Sequence, residues 1–369
     1  MRRRRLLPIL AALLPLAAAC RREASGPLRI GVVMDGDGVV GARLALADAR
    51  AEGPIDGRPL ELVVHAPRQA TVAEPAIAAA DSLADDPRVA AVVGHSNSAA
   101  SLAASQVYNA RRLPQLAPTT TAPVFAEAGP YSFRLVPDDG RQAEFLARQV
   151  AGEGARRVAL VYVSDDYGRA LAAAVRERLA AGDARTVYES PYLEGADSAR
   201  LAASALAAAA ARPDLVLWLG RARELSQFLV PMRARLPRVP VYASDGVGVG
   251  FAYAAPQRFD GVRFVRFVDP AGGGEPLRRF RERYRAEEKR ELTTDAVLAY
   301  DATMLIVAAM RAGARDREGV RAYLERVGHG GATFVGLSGP VAFDARGDVT
   351  RPHLLAEARA DDLAGAPAR

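Results

Sequence analysis

The stretch "VVGHSNSAASLAAS", Val92–Ser105, runs from a β-branched segment through Gly94 and His95 into three small polar residues, Ser96, Asn97 and Ser98, and then turns alanine-rich. Side chains of this kind just before a helix can cap free backbone N–H groups. The same N–H groups, with the helix dipole, also form a ready site for a carboxylate or phosphate. "PTTTAP", Pro118–Pro123, repeats the arrangement, with Thr119, Thr120 and Thr121 ahead of a proline at a helix start. Two such clusters in neighbouring turns point to an anion site. Asp245 in "ASDGVGVG" could form a glycine-rich turn, or hold a cation. Tyr167 in "SDDYG" could be a surface aromatic, or a flat wall with a hydroxyl to donate. Hydroxyls on one side and an acid on the other suit a zwitterion.

Other chemistries find less support. The four histidines are His65, His95, His329 and His353. No HExxH, cysteine cluster or GxSxG accompanies them. His95 stands beside Ser96 and Ser98, but a nucleophile–base pair also needs a third group to orient the base. "DGDG" at Asp35–Gly38 lacks the glutamate that closes a calcium loop. No catalytic residue, metal site or cofactor is expected, and the chain is not read as an enzyme.

The polar turns need a frame to present them. "LRIGVVM", "LELVVHA", "VAAVVG" and "LPQLAP" read as strands, with amphipathic segments between them that read as helices. A second series follows from "RVALVYV" through "ARTVYES" and "LVLWLG" to "VPVYAS". Alternation of this kind predicts parallel sheets flanked by helices, and two series predict two α/β lobes. Ligands of open α/β sheets bind at the carboxyl ends of strands. "GHSNS", "PTTTAP", "SDDYG" and "SDGVG" all fall there, two in each series, which is the geometry of a cleft between lobes.

The 369 residues suffice for two domains, and 50% hydrophobic with 25% charged residues is ordinary globular composition. "MRRRR" followed by the apolar run Leu6–Ala19 reads as a secretory signal, too short to span a membrane. It ends at Cys20, the one cysteine of the chain, so no internal disulfide is possible. The formal charge of +6 includes the four arginines of "MRRRR" and falls to about +2 without them. No basic stripe with interleaved aromatics is visible, so nucleic acid is not an expected partner.

The chain resembles the substrate-binding proteins of the branched-chain amino acid (Leu/Ile/Val-binding) family of ABC importers, with the type I periplasmic binding protein fold. The likeness is carried, in order, by "AVVGHSNSAASLAAS", "LPQLAPTTTAPVF", "YSFRLVPDDGRQA", "LVYVSDDYGRALA", "LVLWLGRARELSQFL", "YASDGVG", "TTDAVLAYDATMLIVAAMRAG" and "FVGLSGPVAFDARGD". It implies two Rossmann-like lobes joined by a three-strand hinge. Residues 28–137 and 270–342 would form the first lobe and 138–269 and 343–369 the second, after a signal peptide (1–20) and a tether (21–27). "LAAAC" is similar to a lipobox, which implies lipidation of Cys20 and a periplasmic or cell-surface protein held to the membrane through lipid only. By motif position, Ser98 and Thr121 match hydroxyls on a ligand carboxylate, and Thr119 a residue giving backbone contacts. Tyr167 matches the aromatic of the second lobe, and Asp245 the acid on the ligand ammonium. The resemblance implies an amino acid or similar small polar ligand and ABC permease subunits as partners. A sensor feeding a signalling partner is the alternative on the same fold. Two departures bear on specificity. The loop "MDGDGVVGARL" is short, and Arg221 stands where many relatives carry an aromatic or small polar residue. Arg221 could take an acidic or polar ligand side chain, or stay outside and pair with Glu224.

Overall fold

A computed structural model describes residues 26–248, 256–268, 274–329 and 331–358. The proposed signal peptide and Cys20 lie outside the described residues, as do residues 269–273 and 359–369. The first series is β1 (Leu28–Val33), α1 (Gly36–Ala51), β2 (Leu60–Val64), α2 (Pro67–Thr71), α3 (Ala73–Asp85), β3 (Val89–Gly94), α4 (Ser98–Ala110), β4 (Gln115–Ala117) and β5 (Ser132–Arg134). The second is α5 (Asp139–Gly152), β6 (Arg157–Val163), α6 (Asp166–Ala180), β7 (Arg185–Tyr192), α7 (Ser198–Ala210), β8 (Leu215–Leu219), α8 (Ala222–Arg235), β9 (Val241–Ala243) and β10 (Arg263–Arg266). Then come α9 (Glu275–Glu288), α10 (Thr294–Arg311), α11 (Arg317–Leu324), a hairpin of β11 (Phe334–Gly336) and β12 (Gly339–Val341), and β13 (Leu354–Glu357).

Two doubly wound sheets result. The first has the order β2-β1-β3-β4-β5, with every pairing parallel. The second has β7-β6-β8-β9-β10-β13, parallel except for β13 on its edge. Strands covered on both faces read as unbroken apolar runs, and β3 and β8 are buried at every residue. The edge strand β7 alternates in exposure and carries Pro191, which an edge tolerates because no neighbour needs its missing N–H.

The chain passes from the first sheet to the second between β5 and α5, and returns between β10 and α9, whose Leu277, Phe280 and Tyr284 join the first core. Phe343 and Val349 still belong to that core. The last crossing therefore lies after Val349, past residue 342, where the sequence reading ended the first lobe. At this junction Arg134 and Asp348, both almost fully buried, form a two-pronged ion pair with both distances 2.6 Å.

α10 is the spine of the first core, buried along most of its length. Its Asp301 accepts backbone N–H bonds from Leu337 (2.7 Å) and Ser338 (2.8 Å), fastening the β11–β12 turn. α1 lies directly along α10. A Cβ on Gly41 would meet the Ala296 carbonyl oxygen at 2.0 Å, so only glycine lets the two helices come this close. That approach sets the start of α1 beside the start of α10.

Candidate functional site

In a doubly wound sheet the crevice opens where the strand order reverses. In the first sheet that point is between β1 and β3, and in the second between β6 and β8. The segments leaving β1 and β3 carry Asp35 and His95–Ser98. Those leaving β6 and β8 carry Asp165–Tyr167 and Arg221.

The β3 turn is built from inside outwards. His95 is fully buried, its Nδ1 2.9 Å from the Gln69 carbonyl and its Nε2 3.1 Å from the Tyr108 hydroxyl. Burial pushes its pKa down to about 4. Both ring nitrogens are thus engaged by Gln69 and Tyr108, not by Ser96 or Ser98. Asn97 caps α4 by accepting from Ala100 N at 2.9 Å. Ser96 Oγ accepts from Asp35 N at 2.8 Å, and Thr119 Oγ1 donates to the Ser96 carbonyl at 3.1 Å. Ser98 Oγ accepts from Thr121 N (3.3 Å) and Ala122 N (3.2 Å). With both acceptor sites of Ser98 so used, its hydroxyl hydrogen remains to be donated. Capping and anion binding are therefore divided between neighbours: Asn97 caps, and Ser98 ties the two hydroxyl turns together.

The opposing wall centres on Asp245, which follows β9. Its Oδ1 accepts from Tyr167 OH (2.5 Å) and Gln142 Nε2 (2.8 Å), while its own N–H donates to Gln142 Oε1 (3.0 Å). Tyr167 OH also reaches Ser244 Oγ at 2.9 Å. Gln142 Nε2 lies 3.3 Å from Asp139 Oδ1 as well, so one buried amide bridges two carboxylates. Burial and the charge of Asp245 push Asp139 well above the ordinary carboxylate range, and the Thr121 hydroxyl opposes that rise. Asp245 is also raised by burial, but Tyr167, Gln142 and Arg221 act against it. Asp139 is thus the member pushed harder toward its protonated form, while Asp245 keeps the donors that favour its carboxylate.

Arg221 pairs with Asp165 and Glu194, not with Glu224. It stands over the Tyr167 ring, 5.2 Å from the centroid, with Nη2 3.0 Å from Asp165 and Nε 3.9 Å from Glu194. Glu224 instead accepts from Gly195 N at 3.0 Å. Arg221 thus packs on the aromatic wall while Asp165 holds it, and its charge also acts on Asp245.

Ser98, Thr119 and Thr121 are brought together by the β3 and β4 turns. Tyr167, Asp245 and Arg221 are gathered by the β6, β8 and β9 turns. The two groups meet through Thr121, Asp139 and Gln142. Sequence reasoning missed Asp139 and Gln142. Their signal was present in "VPDDGRQA", where an acid and an amide three residues apart share one face of a helix start. It also missed Asp35 and Asp295. Hollows of about 200 and 460 Å³ lie elsewhere on the molecule and contain none of these residues. Among the described residues no group of three or more His, Cys, Asp or Glu is placed to hold a metal ion. Nor is any described helix long and apolar enough to cross a membrane.

Comparison with known proteins agrees with this architecture. Residues 24–362 match the family described as periplasmic binding protein. An "Amino acid binding protein" of Pseudomonas aeruginosa is 33% identical over 143 residues, 38% of this chain and 37% of that protein. A "Leu/Ile/Val-binding protein homolog 2" of Brucella abortus is 27% identical over 329 residues, 86% of this chain and 84% of that protein. An ABC transporter substrate-binding protein of Desulfitobacterium hafniense, solved with Leu, superposes with a TM-score of 0.74 at 25% identity, over 90% of this chain and 97% of that one.

Proposed function

Since the chain belongs to the periplasmic binding protein family, we propose that it is the extracytoplasmic solute-binding protein of an ABC importer and takes an amino acid between its two sheets. The observation that carries this reading is the pairing of two sets of groups at the carboxyl ends of the two sheets' strands. Hydroxyl and backbone donors of the β3 and β4 turns face Asp245 with its Tyr167 partner. Ser98, Thr119 and Thr121 receive the ligand carboxylate, and Asp245 receives the α-ammonium, with Tyr167 beside it. Arg221 shapes the entrance through Tyr167. The role is binding and delivery to permease subunits, without catalysis.

Binding between lobes shifts the population toward closure. It also stabilises the fold by about 2.7 kcal/mol at a hundredfold excess of ligand over Kd. A thermal-shift screen of amino acids, amides and organic acids tests the reading. Amino acids should raise the melting temperature, and a response confined to compounds lacking a carboxylate or an ammonium refutes the head-group assignment. Cys20 is proposed as the lipidated residue. Cys20→Ser should move the protein from the membrane fraction to the soluble one, and an unacylated N-terminus well beyond Cys20 in mass spectra counts against it.

A further inference from the structure

An amino-acid head group between Ser98 and Asp245 leaves two carboxylates without a role. Asp295, in the first turn of α10, is 6% exposed. It does not cap its helix, since Thr293 Oγ1 accepts from Ala296 N at 3.3 Å. Apart from burial, the influences on its carboxylate are all other acids: Asp35, Asp37 and Asp245. No hydrogen bond or cation is among them. Asp35 stands beside it at the start of α1, held there by the close approach at Gly41; its carboxylate is hydrogen-bonded to the Gly38 backbone and Ser96, but Oδ1 is buried with no hydrogen-bond partner. Asp37 is different, being paired with Arg290 and accepting from Tyr284 OH at 3.3 Å.

A carboxylate at a helix N-terminus gains only modestly from the dipole. Burying an unpaired ionised one costs considerably more. The dipole therefore does not account for Asp295. Arg221 is not among the groups acting on Asp295, and its ion pairs are with Asp165 and Glu194. No three described acids converge as metal ligands do, so the group that these two acids would take when ionised is an organic cation.

We propose that the cleft selects an α-amino acid whose side chain ends in a second cation, an ammonium or guanidinium, received by Asp35 and Asp295. The proposal rests on the amino-acid reading above: the head group occupies Ser98, Thr121 and Asp245, and the side chain runs toward the starts of α1 and α10. An apolar side chain in the same place would lie against the unpartnered Asp295 and the unpaired Oδ1 of Asp35. Burial and the neighbouring acids raise the Asp295 pKa to about 8 in the ligand-free protein. A bound cation favours the ionised form, so binding at pH 7 releases a proton from this residue.

The test is titration calorimetry of the mature full-length chain with L-lysine and L-norleucine, which share a chain length and differ by the terminal ammonium. Titrations at pH 7 in two buffers of different ionisation enthalpy count the protons released. Lysine is expected to bind at least tenfold more tightly, with proton release. Asp295→Asn should reduce the lysine-over-norleucine preference at least tenfold and abolish the release, and Asp35→Asn should reduce the preference in the same direction. The wild-type ratio decides the question even if a variant fails to fold. Norleucine binding as tightly as lysine overturns this proposal and leaves the amino-acid reading intact. Failure of lysine, norleucine and every other α-amino acid overturns both.

Discussion

Asp245→Asn separates the two things Asp245 does. Asparagine Oδ1 can still accept from Tyr167 OH and Gln142 Nε2, and the backbone N–H can still donate to Gln142 Oε1. The geometry survives and the charge is lost. Removing one partner of a buried charge pair costs about 2–5 kcal/mol. Asp245 is only half-buried, so the lower part of that range applies. About 2–3 kcal/mol corresponds to roughly 30- to 150-fold weaker binding of an amino acid. The ligand-free protein should respond with the opposite sign. Burial raises Asp245, and its charge in turn raises Asp139. An acid whose folded pKa is raised favours folding most below its unfolded value near 4, and that contribution is lost as pH rises through the folded value. The asparagine variant removes one of these acids and relieves the other, so its advantage over wild type in melting temperature should grow from pH 4 to pH 8. Calorimetric titration measures the first effect and thermal unfolding across that pH range the second. Affinity within threefold of wild type, or a variant that loses stability relative to wild type as pH rises, refutes the assignment of charge to this site.

Ser98→Ala removes the acceptor that holds Thr121 N and Ala122 N as well as the free hydroxyl hydrogen. Affinity should fall by about 1.5–3 kcal/mol, as for a hydrogen bond to a charged group, in the same titration. Gly41→Val forces atoms into the Ala296 carbonyl and should destabilise the fold by about 1–3 kcal/mol or more, measured by denaturant unfolding. His95 has a folded pKa depressed to about 4. Its contribution is therefore full above pH 6.5 and lost as pH falls toward 4, by about 3 kcal/mol. His95→Gln should flatten the acid limb of the stability curve over that interval.

The frame was legible because buried parallel strands carry unbroken apolar runs: "VAAVVG" and "RVALVYV" coincide with β3 and β6. The polar turns were legible because they interrupt those runs at the carboxyl ends. The buried acids were not, because a carboxylate at a helix start has the same sequence signature whether it caps or faces inward. Asp138 caps α5 through Arg141 N at 2.8 Å, while the adjacent Asp139 turns into the site. Asp35 and Asp295 are 260 positions apart by number, and no local pattern joins them. The packing of Phe343 and Val349 into the first core was hidden for a related reason. Phe343 and Val349 look like any short apolar pair until the strands they cover are known.

The crossing pattern has a further consequence, for the order in which the molecule is completed. The second sheet draws α5 to β10 from one unbroken stretch, with β13 added at its edge. Its contacts are local and form at little cost in loop closure. The first core cannot close until α10 has returned to lie along α1, so any shorter nascent chain holds β1 and β3 with one face uncovered. Pulsed hydrogen exchange during refolding should protect β6 and β8 before β1 and β3. The half that carries Asp245 is then the template, and the half that carries Ser98 is the last to be finished.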